Sequence, residues 1–368
     1  MQKRFVVLDS FRGLCAVAVV LFHTHLIGSF IEIDFFRRSS IFVQFFFVLS
    51  GFVLAHGYGY KENLSFKSYF KARFFRIYPL HIFMFSVFIF LECVRLFSVQ
   101  FWGLTFINEP FTETYALKEI IPNILLIQSW SQYTHKLSFN APSWSISVEF
   151  FLYIVLFFTV LYSGKFKHIV WLIITLGMIM SLFIDFRILT TQVSIGLICF
   201  FGGAVTYSIY RRIFFYKPPV ALSSFVEFGL LLSVFYVVQS DMEYRIYAVN
   251  ILFAITILTF SFEAGIFSNI LKLPAFRFTG KLSYSIYMTH AAILFCLNFI
   301  LVIIQKITGM PLISVVDGVH YLTSGNVMAN NLLVFIILAF VFCASHLTYK
   351  HIELKWLLFG KGISKNSN

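Results

Sequence analysis

The segment from Val6 to Phe30 is apolar enough to cross a bilayer, yet it holds Asp9, Arg12, His23 and His25. A charge at the centre of a spanning helix costs about 2.5–3.5 kcal/mol on insertion scales, so each of these groups needs a use. Imidazole is the general base best matched to neutral pH, and guanidinium is a natural grip for an anionic group. Arg12 and His23 stand eleven residues apart. At ~100° per residue that is close to three turns, so both face one side of the helix, about 16 Å apart along its axis. His25 lies two residues off that stripe and reads as an interface residue. Asp9 sits one turn before Arg12, where a local ion pair explains the two residues as well as a functional pairing does.

Other segments add to this chemistry. In Lys71-Ala72-Arg73-Phe74-Phe75-Arg76-Ile77-Tyr78-Pro79, a helical backbone would put Arg73 and Arg76 on one face, where both could grip a phosphate group. Ordinary anchoring to lipid headgroups is the alternative, and composition alone leans towards it. Glu92 and Arg95, three residues apart, read as a local ion pair. The stretch Asn140-Ala141-Pro142-Ser143-Trp144-Ser145-Ile146-Ser147-Val148-Glu149 looks like a helix start with Trp144 at interface depth. Glu149 then falls at a depth comparable to His23. A carboxylate there can orient an imidazole, or the two can be unrelated polar residues lining a bundle. Tyr284, Tyr287 and His290 follow three-residue steps along one helical side. Tyrosines at such positions are usually interface anchors, whereas His290 lies within a span.

These residues need a membrane scaffold to position them. The chain has 368 residues, 59% hydrophobic and only 12% charged, with a mean hydropathy of +0.86. A soluble domain usually has about 25% charged residues, so this is an all-α, polytopic transmembrane helix bundle. The formal charge of +12 comes from basic residues in short loops, which reflects loop bias and not nucleic-acid binding. The five cysteines lie in apolar segments without metal-type spacing, so neither a disulfide framework nor a metal site is expected.

Ten segments look able to span: about 6–30, 41–60, 77–97, 143–163, 169–186, 190–210, 220–239, 246–262, 283–305 and 330–349. Ile120 to Trp130 is too short to cross, contains Pro122, and reads as re-entrant or interfacial. The first segment has no small-residue cleavage site after it and reads as a retained helix. With the N-terminus inside, 19 Lys and Arg fall in inner segments and 7 in outer ones. Both termini are therefore expected in the cytoplasm. No repeat or linker marks a second domain, so residues 1–359 read as one transmembrane domain and 360–368 as a short cytoplasmic tail expected to be disordered.

At these residues the chain resembles the integral membrane acyltransferase-3 family, which includes bacterial O-antigen and other glycan O-acetyltransferases. The matching pieces are Leu8-Asp9-Ser10-Phe11-Arg12-Gly13-Leu14 with Phe22-His23, Phe46-Phe47-Val48-Leu49-Ser50-Gly51-Phe52, Arg73 to Pro79, Ser143 to Glu149, and Leu282 to His290. They occur in the family's order. Near the end, Tyr349 and Ile352-Glu353 look like the family's closing pattern, but Leu354 and Lys355 follow without proline, so no role is assigned there. The resemblance implies transfer of an acyl group, usually acetyl, from cytoplasmic acyl-CoA to a sugar hydroxyl of a cell-surface or lipid-linked glycan, such as a lipopolysaccharide. It implies a bacterial inner-membrane location, with acetyl-CoA as donor, a carbohydrate acceptor and no metal. It would make His23 the essential imidazole, which could act as base or as acyl acceptor, give Arg12 a donor-site role, and set Arg73 and Arg76 on the CoA phosphates. Glu149 is carried over as a motif position with no assigned role and stands as a candidate catalytic residue; Trp144, Tyr287 and His290 read as candidate substrate contacts.

The competing class is a proton-coupled transporter or flippase, which also uses intramembrane Asp, Arg, His and Glu. Neither an inverted repeat nor paired Gly/Pro-broken helices support it.

Overall fold

The computed structural model describes residues 4–106, 108–186, 189–316 and 319–362. Lys3, Arg187 and Lys365 of the charge count, and the tail beyond residue 362, lie outside the described residues. The helices are α1 Val6–His23, α2 Phe42–Leu54, α3 Phe66–Trp102, α4 Ile120–Ile124, α5 Ser143–Tyr162, α6 Lys167–Phe183, α7 Thr191–Ile213, α8 Val220–Gln239, α9 Arg245–Phe260, α10 Ile266–Leu271, α11 Pro274–Thr308, α12 Val327–Thr348 and α13 Leu354–Gly360. Among the described residues, nine helices are long and apolar enough to cross a membrane, so this is an integral membrane protein of helical-bundle class.

Three details differ from the sequence expectation. The eighth expected span forms α9, of 16 residues. At 1.5 Å per residue it extends only about 24 Å, short of the ~30 Å hydrocarbon core. The third span is longer than expected: α3 runs for 37 residues with Pro79 in its interior, so Arg73 and Arg76 are both helical. The first span stops at His23, well before Phe30. Its continuation is drawn into a β contact instead. Leu322 donates its N–H to the His25 carbonyl (2.9 Å) and accepts from Ile27 N–H (3.1 Å), which removes both groups from any helical ladder. Leu322 closes a two-stranded antiparallel hairpin, β1 Ile313–Val316 and β2 Val319–Leu322, in a stretch read from sequence as loop.

The chain forms two compact units. The first comprises Met1–Ala18, Arg38–Lys71 and Val148–Ser283. Its core is built on glycine-mediated helix packing. A Cβ on Gly51 of α2 would lie 1.7 Å from the Phe200 carbonyl oxygen, and one on Gly203 of α7 would lie 1.9 Å from the Val48 carbonyl oxygen. Each helix therefore uses a glycine to admit the other's backbone, the close approach typical of packing without a water-driven hydrophobic force. Gly13 and Gly280 repeat the device, since a Cβ on Gly280 would meet the Asp9 carbonyl oxygen at 2.3 Å. The spans differ in burial. Thr191–Ile213 buries 72% of an 18-residue stretch, whereas Gly164–Phe183 buries 6% and Val220–Gln239 11%, so these last two expose most of their surface. Two carboxylates serve helix ends: the buried Glu227 accepts from Gly265 and Ser268 N–H at the start of α10, and the half-buried Glu263 accepts from Val7 N–H at the start of α1.

The second unit comprises Val19–Arg37, Ala72–Ser147 and Tyr284–Asn368. Four helices, α1, α3, α5 and α11, are divided between the two units. Within the second, Glu92 and Arg95 pair at 2.9 Å in a fully buried setting. Glu92 also accepts from Phe111 N–H (3.1 Å), and Arg95 donates to the Asn108 carbonyl. This pair is therefore the local ion pair its spacing suggested, fastened to the loop after α3.

Candidate active site

The second unit brings together residues far apart in sequence around the end of α1. His23 closes that helix and is half-buried; His290 of α11 is fully buried. His23 Nδ1 lies 2.9 Å from the Val19 carbonyl oxygen and 3.3 Å from His290 Nε2. His290 Nδ1 lies 3.2 Å from the Ile286 carbonyl oxygen. A carbonyl can only accept, so both Nδ1 atoms carry a proton. His290 Nε2 is then a lone pair that shares the His23 Nδ1–H. His23 Nε2 is likewise left as a lone pair, with no hydrogen-bond partner among the described residues. The arrangement fixes one imidazole in the tautomer a general base requires.

Arg37 holds the same end of α1. Its Nη2 donates to the carbonyls of Leu21 (2.8 Å) and Thr24 (2.6 Å), its Nε to Ile31 (3.0 Å), and its Nη1 reaches His25 Nδ1 at 2.6 Å. These are the carbonyls a helix C-terminus leaves without partners, and a cation there also complements the helix dipole. Arginine has no acceptor, so His25 Nδ1 must be unprotonated and its proton sits on Nε2. Burial, then the Arg37 cation, then His23, push the His25 imidazole down to about 4. His25 thus belongs to the support of this helix end. Sequence reading missed Arg37, counting it only among the outer-loop charges.

On α11 the motif residues are buried and bonded. Tyr284 O–H donates to the Ile77 carbonyl (2.6 Å), and Tyr287 Oη lies 2.9 Å from Ser145 Oγ. Asn140 Nδ2 donates to the Met288 carbonyl at 3.1 Å, so the Asn140–Ser147 segment packs on α11 beside His290. Trp144 is half-buried, and its carbonyl accepts from Ser129 O–H (2.9 Å). Ser285 O–H donates to Glu353 (2.8 Å), whose other oxygen pairs with Arg76 at 3.1 Å. Phe75 stacks on Trp356 with ring centroids 5.4 Å apart. The closing Tyr349–Glu353 segment, to which the sequence reading assigned no role, therefore docks on the Arg73–Pro79 motif. Of the two arginines, Arg76 already has a buried carboxylate, while Arg73 lies half-buried one turn earlier.

The first unit holds the other two candidates. Arg12 pairs with Asp9 at 3.5 Å, and Asp9 also pairs with Arg4 at 2.9 Å. Glu149 accepts from Ser50 O–H and from Tyr153 O–H, the latter at 2.7 Å. Two expected motifs, Phe46–Phe52 and Ser143–Glu149, are thus joined through this carboxylate. The side chain hydrogen-bonded to the His23 imidazole is His290.

A family model described as an acyltransferase domain matches residues 5–350. The chain belongs to the acyltransferase-3 family. Within it, a stretch of 117 residues is 37% identical to "Acyltransferase MdmB" of Streptomyces mycarofaciens, covering 31% of this chain and 27% of that protein. Another of 87 residues is 40% identical to "Protein 2 in picA locus" of Rhizobium radiobacter, covering 22% of this chain and 41% of that protein. The matched stretches thus span less than half the length of either curated relative. No solved structure matches this member of the family.

Proposed function

We propose that the protein is a membrane O-acyltransferase, moving an acyl group, acetyl by the family resemblance, from acyl-CoA to a sugar hydroxyl of a cell-surface or lipid-linked glycan. The observation that carries this reading is the lone pair of His23 Nε2, held in one tautomer by Val19 and His290. Membership in an acyltransferase family supports it. In the step proposed, His23 Nε2 takes the proton of the acceptor hydroxyl as the oxygen bonds to the thioester carbonyl carbon. The carbon–sulfur bond then breaks, and CoA leaves as the thiol with that proton. General-base help of this kind is typically worth 10²–10⁴-fold. His290 is a positioning residue that keeps the His23 Nδ1 proton engaged. By the family resemblance Arg12, Arg73 and Arg76 are assigned to the donor's anionic groups and the protein to a bacterial inner membrane, and the Lys and Arg bias supports placing both termini on the cytoplasmic face. Glu149 is assigned a supporting place between α2 and α5, and Trp144 and Tyr287 a place near the acceptor.

The test compares ester-linked acetyl on surface polysaccharide in strains with and without the gene. Loss of acetyl from one glycan fraction is expected, restored by the wild-type gene. Unchanged acetyl content in every glycan fraction would reject the assignment.

A further inference from the structure

Within the first unit, the end of α2 carries a group of side chains that the proposed chemistry does not use. The helix closes in a π-helical turn, Ala55–Gly59, and Tyr60 follows it. Such turns are rare and cluster at functional positions. Tyr60 is held on several sides. Its O–H donates to Ser208 Oγ of α7 at 3.0 Å, and its edge meets the fully buried Trp171 of α6 at 6.3 Å and 90°. Over the ring lie two cations, the Arg211 guanidinium 3.8 Å from the centroid and the Lys167 ammonium at 4.9 Å. Lys167 spends one N–H on the Gly59 carbonyl (2.8 Å) and keeps two. Arg211 makes no hydrogen bond to another described residue, and neither cation has a carboxylate within ion-pair distance among the described residues. Two like charges held against one aromatic ring repel, and the ring quadrupole offsets this only in part. An anion that reaches both would satisfy the unspent donors.

We propose that Tyr60, Lys167 and Arg211 form a binding site for a phosphate group. The Arg211 guanidinium lies over the Tyr60 ring, and its fork can take two phosphate oxygens, while Lys167 supplies a point charge. Two sources carry this chemistry on the side to which the Lys and Arg bias assigns the cytoplasm: a nucleotide phosphate and an anionic lipid headgroup. The nucleotide source rests on the acyl-CoA reading above; the lipid source does not.

The experiment uses the full chain purified in a phosphate-free zwitterionic detergent, titrated calorimetrically with adenosine 3′,5′-bisphosphate and, separately, with a short-chain phosphatidylglycerol. Saturable binding of at least one probe is expected, weakened tenfold or more in Arg211→Gln combined with Lys167→Gln. Arg211→Gln alone changes an exposed residue and reads the same effect without disturbing the buried packing. Tyr60→Leu should weaken binding, and Tyr60→Phe, which keeps the ring, should retain most of it. Weakening confined to the nucleotide or to the lipid assigns the source. Equal affinity in wild type and variants for both probes, or no binding of either to the wild type, would overturn the site. The readout is binding and not acyl transfer, so it fails independently of the proposed activity.

Discussion

His290 Nε2 stands 3.3 Å from His23 Nδ1, across 267 residues of sequence, and completes a pair of imidazoles that both carry their proton on Nδ1. Removing His290 should leave His23 present but less firmly oriented. His290→Phe is expected to lower kcat by about 10–100-fold, less than the 10²–10⁴-fold expected for loss of the base itself in His23→Ala. The KM for acyl-CoA should change little. His290→Gln, which can still accept from His23 Nδ1–H, should recover part of the loss. A His290→Phe enzyme with wild-type kcat would remove the positioning role.

Arg37 gathers three carbonyls and His25 at the end of α1, so its loss should disturb His23 from outside the reacting pair. Hydrogen bonds to a charged group are worth about 1.5–3 kcal/mol each when truncation leaves the partner unsatisfied. Discounted for partial exposure, Arg37→Ala should cost about 2 kcal/mol of stability and reduce kcat, and Arg37→Lys should restore the charge but not the fork. Thermal unfolding of the purified variants together with their kcat checks this. Equal kcat for Arg37→Ala and wild type would separate Arg37 from the site.

Burial and the Arg37 cation push the His25 imidazole down to about 4 in the folded protein, from the ordinary histidine value of about 6.5. A depressed histidine means that the unfolded chain binds the extra proton first, so stability is fully present above about 6.5 and falls as pH drops towards 4. The melting midpoint should decline over that window. In His25→Asn, whose side-chain oxygen can still accept from Arg37, the decline should be shallower. Identical slopes in the two proteins would contradict the assignment.

Arg76 and Glu353 form an ion pair in which the carboxylate is 1% exposed. Removing one partner weakens the compensation of the other, and breaking a buried pair costs up to about 3–5 kcal/mol. Arg76→Ala should therefore lose stability as well as donor affinity, and Arg76→Met combined with Glu353→Leu should regain most of the stability. Arg73→Ala should raise the KM for acyl-CoA, and an unchanged KM would remove the phosphate-grip assignment.

The helices were legible because a spanning segment must be apolar over its whole length, and that constraint is written locally in sequence. The end of α1 was not, because hydropathy continues past His23 while the backbone of His25 and Ile27 leaves to pair with Leu322. Depth along a span offers Glu149 as one possible partner of His23, but depth alone cannot distinguish among polar residues on different helices. The hydrogen-bonded neighbour His290 is visible in sequence only as the last member of a Tyr284, Tyr287, His290 side. Arg37 carries no signal, and Glu353 no assigned role, for a related reason. A charge in a loop and a carboxylate near a chain end look solvated until the fold supplies their partners.

The most direct test of the account is acyl transfer by the purified protein in detergent, with acetyl-labelled acetyl-CoA as donor. Glycan-bearing membranes from a strain lacking the gene would serve as acceptor. Wild-type protein should move label into the glycan fraction without any ion gradient, and a folded His23→Gln protein should fall at least a hundredfold below it. Transfer by His23→Gln at the wild-type rate would contradict the central claim that His23 Nε2 is the base.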